Sequence, residues 1–371
     1  MLARMNGVGL CFTLFILAIV ATTTAVLLSA HQVANPQKFL SFQRKCFKLR
    51  ETQSSSTTVP PNTTHVVNEN KTLPMRSPTE KETSLKLLSL MVWGSPGSFG
   101  TEDKELRIAA IGNLTQTSNW DIIVLSDLWM RPDHQKIQQS IPEGWDMTSV
   151  ADLSLPSCDG VIAPEFCSGL AVVSRFPIVH VDFTPFAVSG DLLWDYEYFL
   201  RRGLGRVRVE PIQGQTVDVY VTSLASNDYN YWYREHQAAQ LVSLLDKSDA
   251  DYLLLVGDLN VDPRDGEGTY KTFKGALTDS IEEFYKEDKS KWLDPALSTL
   301  GNPANTYTSK SSHPVIYDYV WYRPRGAEKA ISVASYQVVI AIVKKNEAVI
   351  LFIAGASSYH WRRKECESEL S

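Results

Sequence analysis

The chain has 371 residues, 44% of them hydrophobic, enough for a large core spread over one to three domains. Its 36 Lys and Arg are outnumbered by 42 Asp and Glu, a formal charge of −6. That balance lacks the basic excess of a nucleic-acid binder and disfavours non-specific attachment to polyanions.

The first 30 residues read as a targeting segment. Arg4 precedes an almost wholly apolar run from Val8 to Val20, and AVLLSA follows to Ala30. The stretch is either a secretory signal peptide or a membrane anchor. Lys38, Arg44, Lys45, Lys48 and Arg50 lie on its C-terminal side. They oppose an uncleaved anchor with that side outside, which favours a cleaved signal near Ser29-Ala30. The chain is therefore expected to be secreted or lumenal, the alternative being anchorage by residues 8–30. Residues 31–83 include a stretch rich in Ser, Thr and Pro that cannot bury enough apolar surface to fold, and they form a flexible linker. Asn62, Asn70 and Asn113 each begin an Asn-x-Ser/Thr triplet and are glycosylation candidates. Cys158 and Cys167 flank a short loop with Gly and Pro, a disulfide candidate for an oxidising compartment.

From Leu85 the character changes. LKLLSLMVW is a buried strand, TEDKELRIAAIGNL an amphipathic helix and DIIVLSDLW a second strand. GLAVVSRFPIVHV is a third strand with a turn at Pro177. RVRVEP and VDVYVTSL form an antiparallel pair around Gly214. YREHQAAQLVSLL is a helix with Ala238, Leu241, Val242 and Leu245 on one face. DYLLLVGD, VIYDYVWY and Ala348–Ile353 complete the strands. Short apolar runs with both hairpins and helices imply a two-sheet α/β sandwich over residues 84–360, followed by a tail at 361–371.

Oxygen-bearing side chains sit at three strand tips: Asp127 after IIVLS, Asp258 and Asn260 after LLLVG, and Asp318 within VIYDYVW. Hard cations such as Mg²⁺ take such oxygens, and a phosphodiester reaction uses the cation to neutralise phosphate charge. Asp262 to Asp265 reads as a turn. Asp258-x-Asn260 also suits a loop closing on its own backbone.

The order of blocks is more specific. WGSPG, RIAAIGN, DIIVLSDLWM, FCSGLAVVSRFPI, GLGRVRVEP, VDVYVTSLAS, GDLNVDP, YDYVWYR and NEAV run in one sequence. Through them the chain resembles the endonuclease/exonuclease/phosphatase superfamily, within it the neutral sphingomyelinase-like branch, over about residues 84–355. The resemblance implies a two-sheet α/β sandwich, a Mg²⁺ site and hydrolysis of sphingomyelin to ceramide and phosphocholine. It carries metal, phosphate or water contacts onto Asp258 and Asn260, and an orienting carboxylate onto Asp318. Elsewhere the pattern is degenerate. The first-strand asparagine falls at Met91, whose thioether is a poor Mg²⁺ ligand. The metal-binding glutamate falls at Asp127, one methylene shorter. One histidine falls at Ser223. The terminal Asp-His falls at Lys345 and Asn346, and asparagine cannot accept a proton near neutral pH as histidine does. On this alignment Lys345 would pair with Asp258 in the cation's place.

The seven histidines offer no obvious replacement. His31 and His65 precede the domain, His134 lies in a loop, His180 in an apolar strand and His236 on a helix surface. His313 enters the Asp318 strand, and His360 follows the final one. LWDYEYFLRRG and NDYNYWYR are rich in aromatics, suited to a membrane boundary or to packing over a sheet edge. Arg206 and Arg208 alternate on one solvated strand face. The reading is a sphingomyelinase-like pseudoenzyme, with poor Mg²⁺ binding and choline phospholipid or a membrane surface as partner; nucleic acid is not expected. An active phosphodiesterase with a relocated base and a non-catalytic lipid- or protein-binding member are the alternatives.

Overall fold

The computed structural model describes residues 83–94, 103–117, 119–155, 167–190, 196–198, 200–226, 228–266, 268–288, 290, 294, 298–299, 315–326, 329–345 and 348–363. The targeting segment, the linker and the tail from 364, with Asn62, Asn70, Cys158, His313 and Asn346, lie outside these residues. Asn113 is exposed, and Thr115 of the same triplet is buried.

Two six-stranded sheets face each other. The first has the order β11-β12-β1-β2-β4-β3. Its strands are β1 (Thr83–Met91), β2 (Ile122–Ser126), β3 (Asp146–Met147), β4 (Ala171–Ser174), β11 (Lys329–Lys345) and β12 (Ala348–Arg363). The second has the order β5-β6-β7-β8-β10-β9. It comprises β5 (Ile178–Pro185), β6 (Gly203–Ile212), β7 (Gln215–Ser223), β8 (Tyr252–Asp258), β9 (Thr278–Asp279) and β10 (Asp318–Pro324). Among the described residues five helices accompany them: α1 (Lys104–Thr117), α2 (Arg131–Gln138), α3 (Tyr231–Leu245), α4 (Gly268–Ala276) and α5 (Ser280–Phe284).

The apolar run of β8 shows why the layers form. Leu254 and Val256 point between the sheets, into a cluster with Leu87, Val124, Val207 and Val221. Leu253 and Leu255 point the other way, against Ala238 and Leu241 of α3 and Phe273 of α4. A strand buried on both faces needs no apolar–polar alternation. On the far side of the first sheet, Ile108 and Ile111 of α1 and Ile137 of α2 cover Leu88, Leu90 and Ile123.

Several expectations are corrected. The stretch read as a third strand is two strands in different sheets, β4 and β5. The chain crosses between sheets at Pro177, and a turn at Ser174 precedes it, where Phe176 N donates to Ser174 Oγ at 3.0 Å. His134 is not in a loop: it is buried on α2, its Nε2 3.0 Å from Thr148 O. His360 lies inside β12, opposite Ser84 at the start of β1. Arg206 and Arg208 do not form a solvated face. Both reach the fully buried Asp218, Arg206 Nε at 3.0 Å and Arg208 Nε at 2.7 Å, because that carboxylate needs charged donors once water is removed.

Candidate functional site

Two parallel pairs create the site. β1 and β2 run parallel and end together, Met91 opposite Ser126; β7 and β8 run parallel and end with Ser223 opposite Asp258. β10 is antiparallel to β8 and begins with Asp318 directly opposite Asp258. The tips of the two sheets therefore meet: Ser223 Oγ donates to Asp127 Oδ1 at 3.4 Å.

The backbone at these tips is unusual. Trp93, Asp127 and Asn260 have φ of 50°, 57° and 50°, three of the four non-glycine residues with positive φ among the described residues. Such conformations cost of order 1–3 kcal/mol each and persist where surroundings fix them. The surroundings here are specific. Arg107 of α1 donates to Val92 O and Trp93 O, and Gly94 N donates to Asp127 O at 2.8 Å. Asn260 N donates to Asp258 Oδ1 at 3.0 Å, and Asn260 Nδ2 to Leu224 O at 3.1 Å. The Asp258-x-Asn260 turn thus closes on its own backbone and also joins the pocket. Gly257, just before Asp258, has φ of 143°, and a Cβ there would lie 1.9 Å from Thr222 O. Asp262 caps the turn at 263–265, as expected, accepting from Arg264 N at 2.9 Å.

Two site residues had not been singled out from the sequence: Glu197 and Arg202, both buried. Arg202 Nε donates to Glu197 Oε2 at 2.5 Å and Nη2 to Oε1 at 3.2 Å, while Nη1 donates to Ser223 Oγ. Nη1 lies 3.9 Å from Asp127 Oδ1, and the guanidinium sits 5.2 Å from the centre of the Trp129 ring. Glu197 in turn accepts from Ser226 N at 2.8 Å. The signal in the sequence was an acid five residues before an arginine at a strand entry, inside a segment whose aromatics drew notice instead.

The charges interact strongly. Burial pushes Asp258 well above the usual carboxylate range, and the negative charges of Asp318 and Asp127 add to it. Burial pushes Asp318 up to about 7, with Thr299 opposing and Asp127 reinforcing. Asp127 is raised too, by burial first; Arg202 counteracts and Glu197 adds. Burial would raise Glu197 as well, but the charge and hydrogen bonds of Arg202 overcome it and hold Glu197 low.

Asp127, Asp258, Asn260 and Asp318 are thus brought together, with Ser223 among them. Met91 ends β1 opposite Ser126, half-buried. Lys345 ends β11, paired with Ala348, which stands seven residues before Gly355, the last β12 residue paired with β1. His134 Nε2 lies 3.0 Å from Thr148 O, His180 Nε2 bonds Asp182 at 2.9 Å, and His236 lies against Trp232. Cys167 is disulfide-bonded.

The donor set fits a hard divalent cation in its chemistry. Buried carboxylates repel one another here, and Asp318 Oδ1 has no hydrogen-bond partner, so a cation would relieve both. No ready-made cluster of three His, Cys, Asp or Glu side chains exists among the described residues, so water would supply most ligands.

The model of the Endonuclease/Exonuclease/phosphatase family matches residues 88–339. A Drosophila melanogaster "putative neutral sphingomyelinase" is 24% identical over 237 residues, covering 62% of this chain and 48% of that protein. Mouse "sphingomyelin phosphodiesterase 2" is 24% identical over 254 residues, covering 64% and 56%. The chain thus spans about half the length of these relatives. The crystal structure of SmcL is similar with a TM-score of 0.55 at 16% identity, over 75% of this chain and 99% of that one. A Staphylococcus aureus beta toxin variant with bound magnesium ions is similar with a TM-score of 0.52 at 17% identity, over 75% and 99%. At such identities these structures establish the shared sandwich fold.

Proposed function

The chain belongs to the Endonuclease/Exonuclease/phosphatase family, and from that premise we propose that it is a sphingomyelinase-like phosphodiesterase homologue with impaired catalysis. The reaction of an intact site adds water to the phosphorus of sphingomyelin and breaks its bond to the ceramide oxygen. Ceramide leaves with a proton and phosphocholine remains. Mg²⁺, when bound near Asp127 and Asp258, would supply charge neutralisation for the phosphate. Asn260 contributes an amide at the pocket, and Asp258 and Asp318 supply buried oxygens whose proton affinity burial raises.

The observation that carries the proposal is Ser223. It stands where the family pattern has a histidine, and its hydroxyl is committed to Arg202 and Asp127. A serine held this way cannot relay a proton as imidazole does, and the family's histidine base itself falls at Asn346; losing such a base typically costs about 10²- to 10⁴-fold in rate. Sphingomyelin vesicles with Mg²⁺ test the reading through released phosphocholine. Release at least about 100-fold below that of an intact sphingomyelinase is expected; parity would overturn the impairment.

The disulfide at Cys167 supports secretion or a lumenal site, since such bonds persist in oxidising compartments. Peptide N-glycosidase treatment of protein from eukaryotic cells should lower its mass; an unchanged mass would count against that location.

A further inference from the structure

We infer that Tyr229 and Tyr231, in the segment hydrogen-bonded to Glu197 through Asn230 and Ser226, form a docking surface for the zwitterionic face of a phosphocholine membrane. The inference rests on the phosphodiesterase reading, and it adds where the substrate surface is met. Among the residues whose side chains are described, four large apolar or aromatic side chains are exposed: Val179, Tyr229, Tyr231 and Phe284. Two of the four are near neighbours in one segment, at 63% and 53% exposure.

That segment is tied to the site by an unbroken series of contacts. Asn230, between the tyrosines, is 1% exposed, and its Nδ2 donates to Ser226 O at 2.8 Å. Ser226 donates to Glu197, Glu197 holds Arg202, and Arg202 reaches Ser223. The buried asparagine fixes the backbone while the rings on either side face outward. Docking then costs little ordering entropy, which is the usual penalty for a surface loop.

The chemistry selects the occupant. Tyrosine, with an apolar ring and a polar hydroxyl, suits the membrane–water boundary. From Tyr229 to Tyr233 the chain reads YNYWY, with no charged residue, and the whole chain is at −6. An anionic surface would call for Lys or Arg here, whereas a net-neutral headgroup layer does not. A second copy of the chain fits poorly, because two half-exposed tyrosines supply far less than the roughly 800 Å² per partner of a stable interface.

Hydrogen exchange on the full chain, with and without vesicles of equimolar phosphatidylcholine and sphingomyelin, tests the surface. Amides of residues 229–233 should slow by at least about threefold on vesicle binding. The Tyr229→Ser/Tyr231→Ser variant, folded by circular dichroism, should lose that slowing. Unchanged exchange in vesicle-bound wild type overturns the proposal, as does equal slowing in the variant. Stronger slowing on phosphatidylglycerol vesicles also overturns it, as does slowing without vesicles that disappears on dilution, the mark of self-association. Phosphocholine released in the same samples reports separately on the catalytic reading, so the two can fail independently.

Discussion

The two halves of the pocket have been treated differently. The half built by β8 and β10 keeps its acids: Asp258 and Asp318 face each other across one antiparallel register, and Asn260 closes the turn between them and Leu224. The half built by β1, β2 and β7 carries fewer acids: Met91 ends one strand, Asp127 follows another, and Ser223 ends the third, hydrogen-bonded to Arg202. One half sets two buried carboxylates face to face, while the other places its carboxylate nearer an internal cation. The contrast teaches that a sandwich can hold its strand tips together while the side chains at those tips differ, because strand register depends on core packing rather than on the tips.

The strongest way to break the contrast is to repair the depleted half. Met91→Asn, Ser223→His, Lys345→Asp and Asn346→His together should raise phosphocholine release by about 10²- to 10⁴-fold. A folded but silent quadruple variant would mean that the base does not come from positions 345–346.

Removing the internal cation's partner comes next. Glu197→Ala leaves the Arg202 guanidinium buried opposite Ser223 without its bidentate carboxylate, and a loss of about 3–5 kcal/mol in urea unfolding is expected. A loss below about 1 kcal/mol would show that water or Asp127 replaces Glu197 at no cost.

The acidic half gives the smallest and most specific effect. Asp318 has a folded pKa of about 7, above the roughly 3.9 of an unfolded aspartate. The folded chain therefore holds a proton that the unfolded chain releases. This contribution to stability is full below about pH 4 and is lost as pH rises through about 7. Shared with Asp258, it amounts to at most about 4 kcal/mol across that window. Asp318→Asn should flatten the fall in stability between pH 4.5 and 7.5 in urea titrations. An unaltered slope would place the titration elsewhere, with Asp279 as the next group: burial pushes it up to about 7 as well.

Much of this was legible in the chain. The runs LLSLM, IIVLS and YLLLVGD announce buried strands because burial on both faces demands unbroken apolar sequence, and Gly214 at φ of 77° announces the β6–β7 turn. Asp127, Asp258, Asn260 and Asp318 were legible as well, each standing at or beside the end of such a run. Arg206, Arg208 and His134 were misread because burial of a polar residue depends on its partner: Asp218 lies ten and twelve residues away on the next strand, and Thr148 lies fourteen residues on.

By itself, then, the sequence determined most of the buried strands and the acids at their tips, since these follow from local patterns of apolar and polar residues, but it did not announce β3, β9 or β11. Only the tertiary structure decided that Asp258 faces Asp318, that Glu197 and Arg202 enter the pocket, and that Ser223 is bound to them. Those contacts join residues from separate strands and loops, and their energies exist only once the intervening chain has folded and water has left.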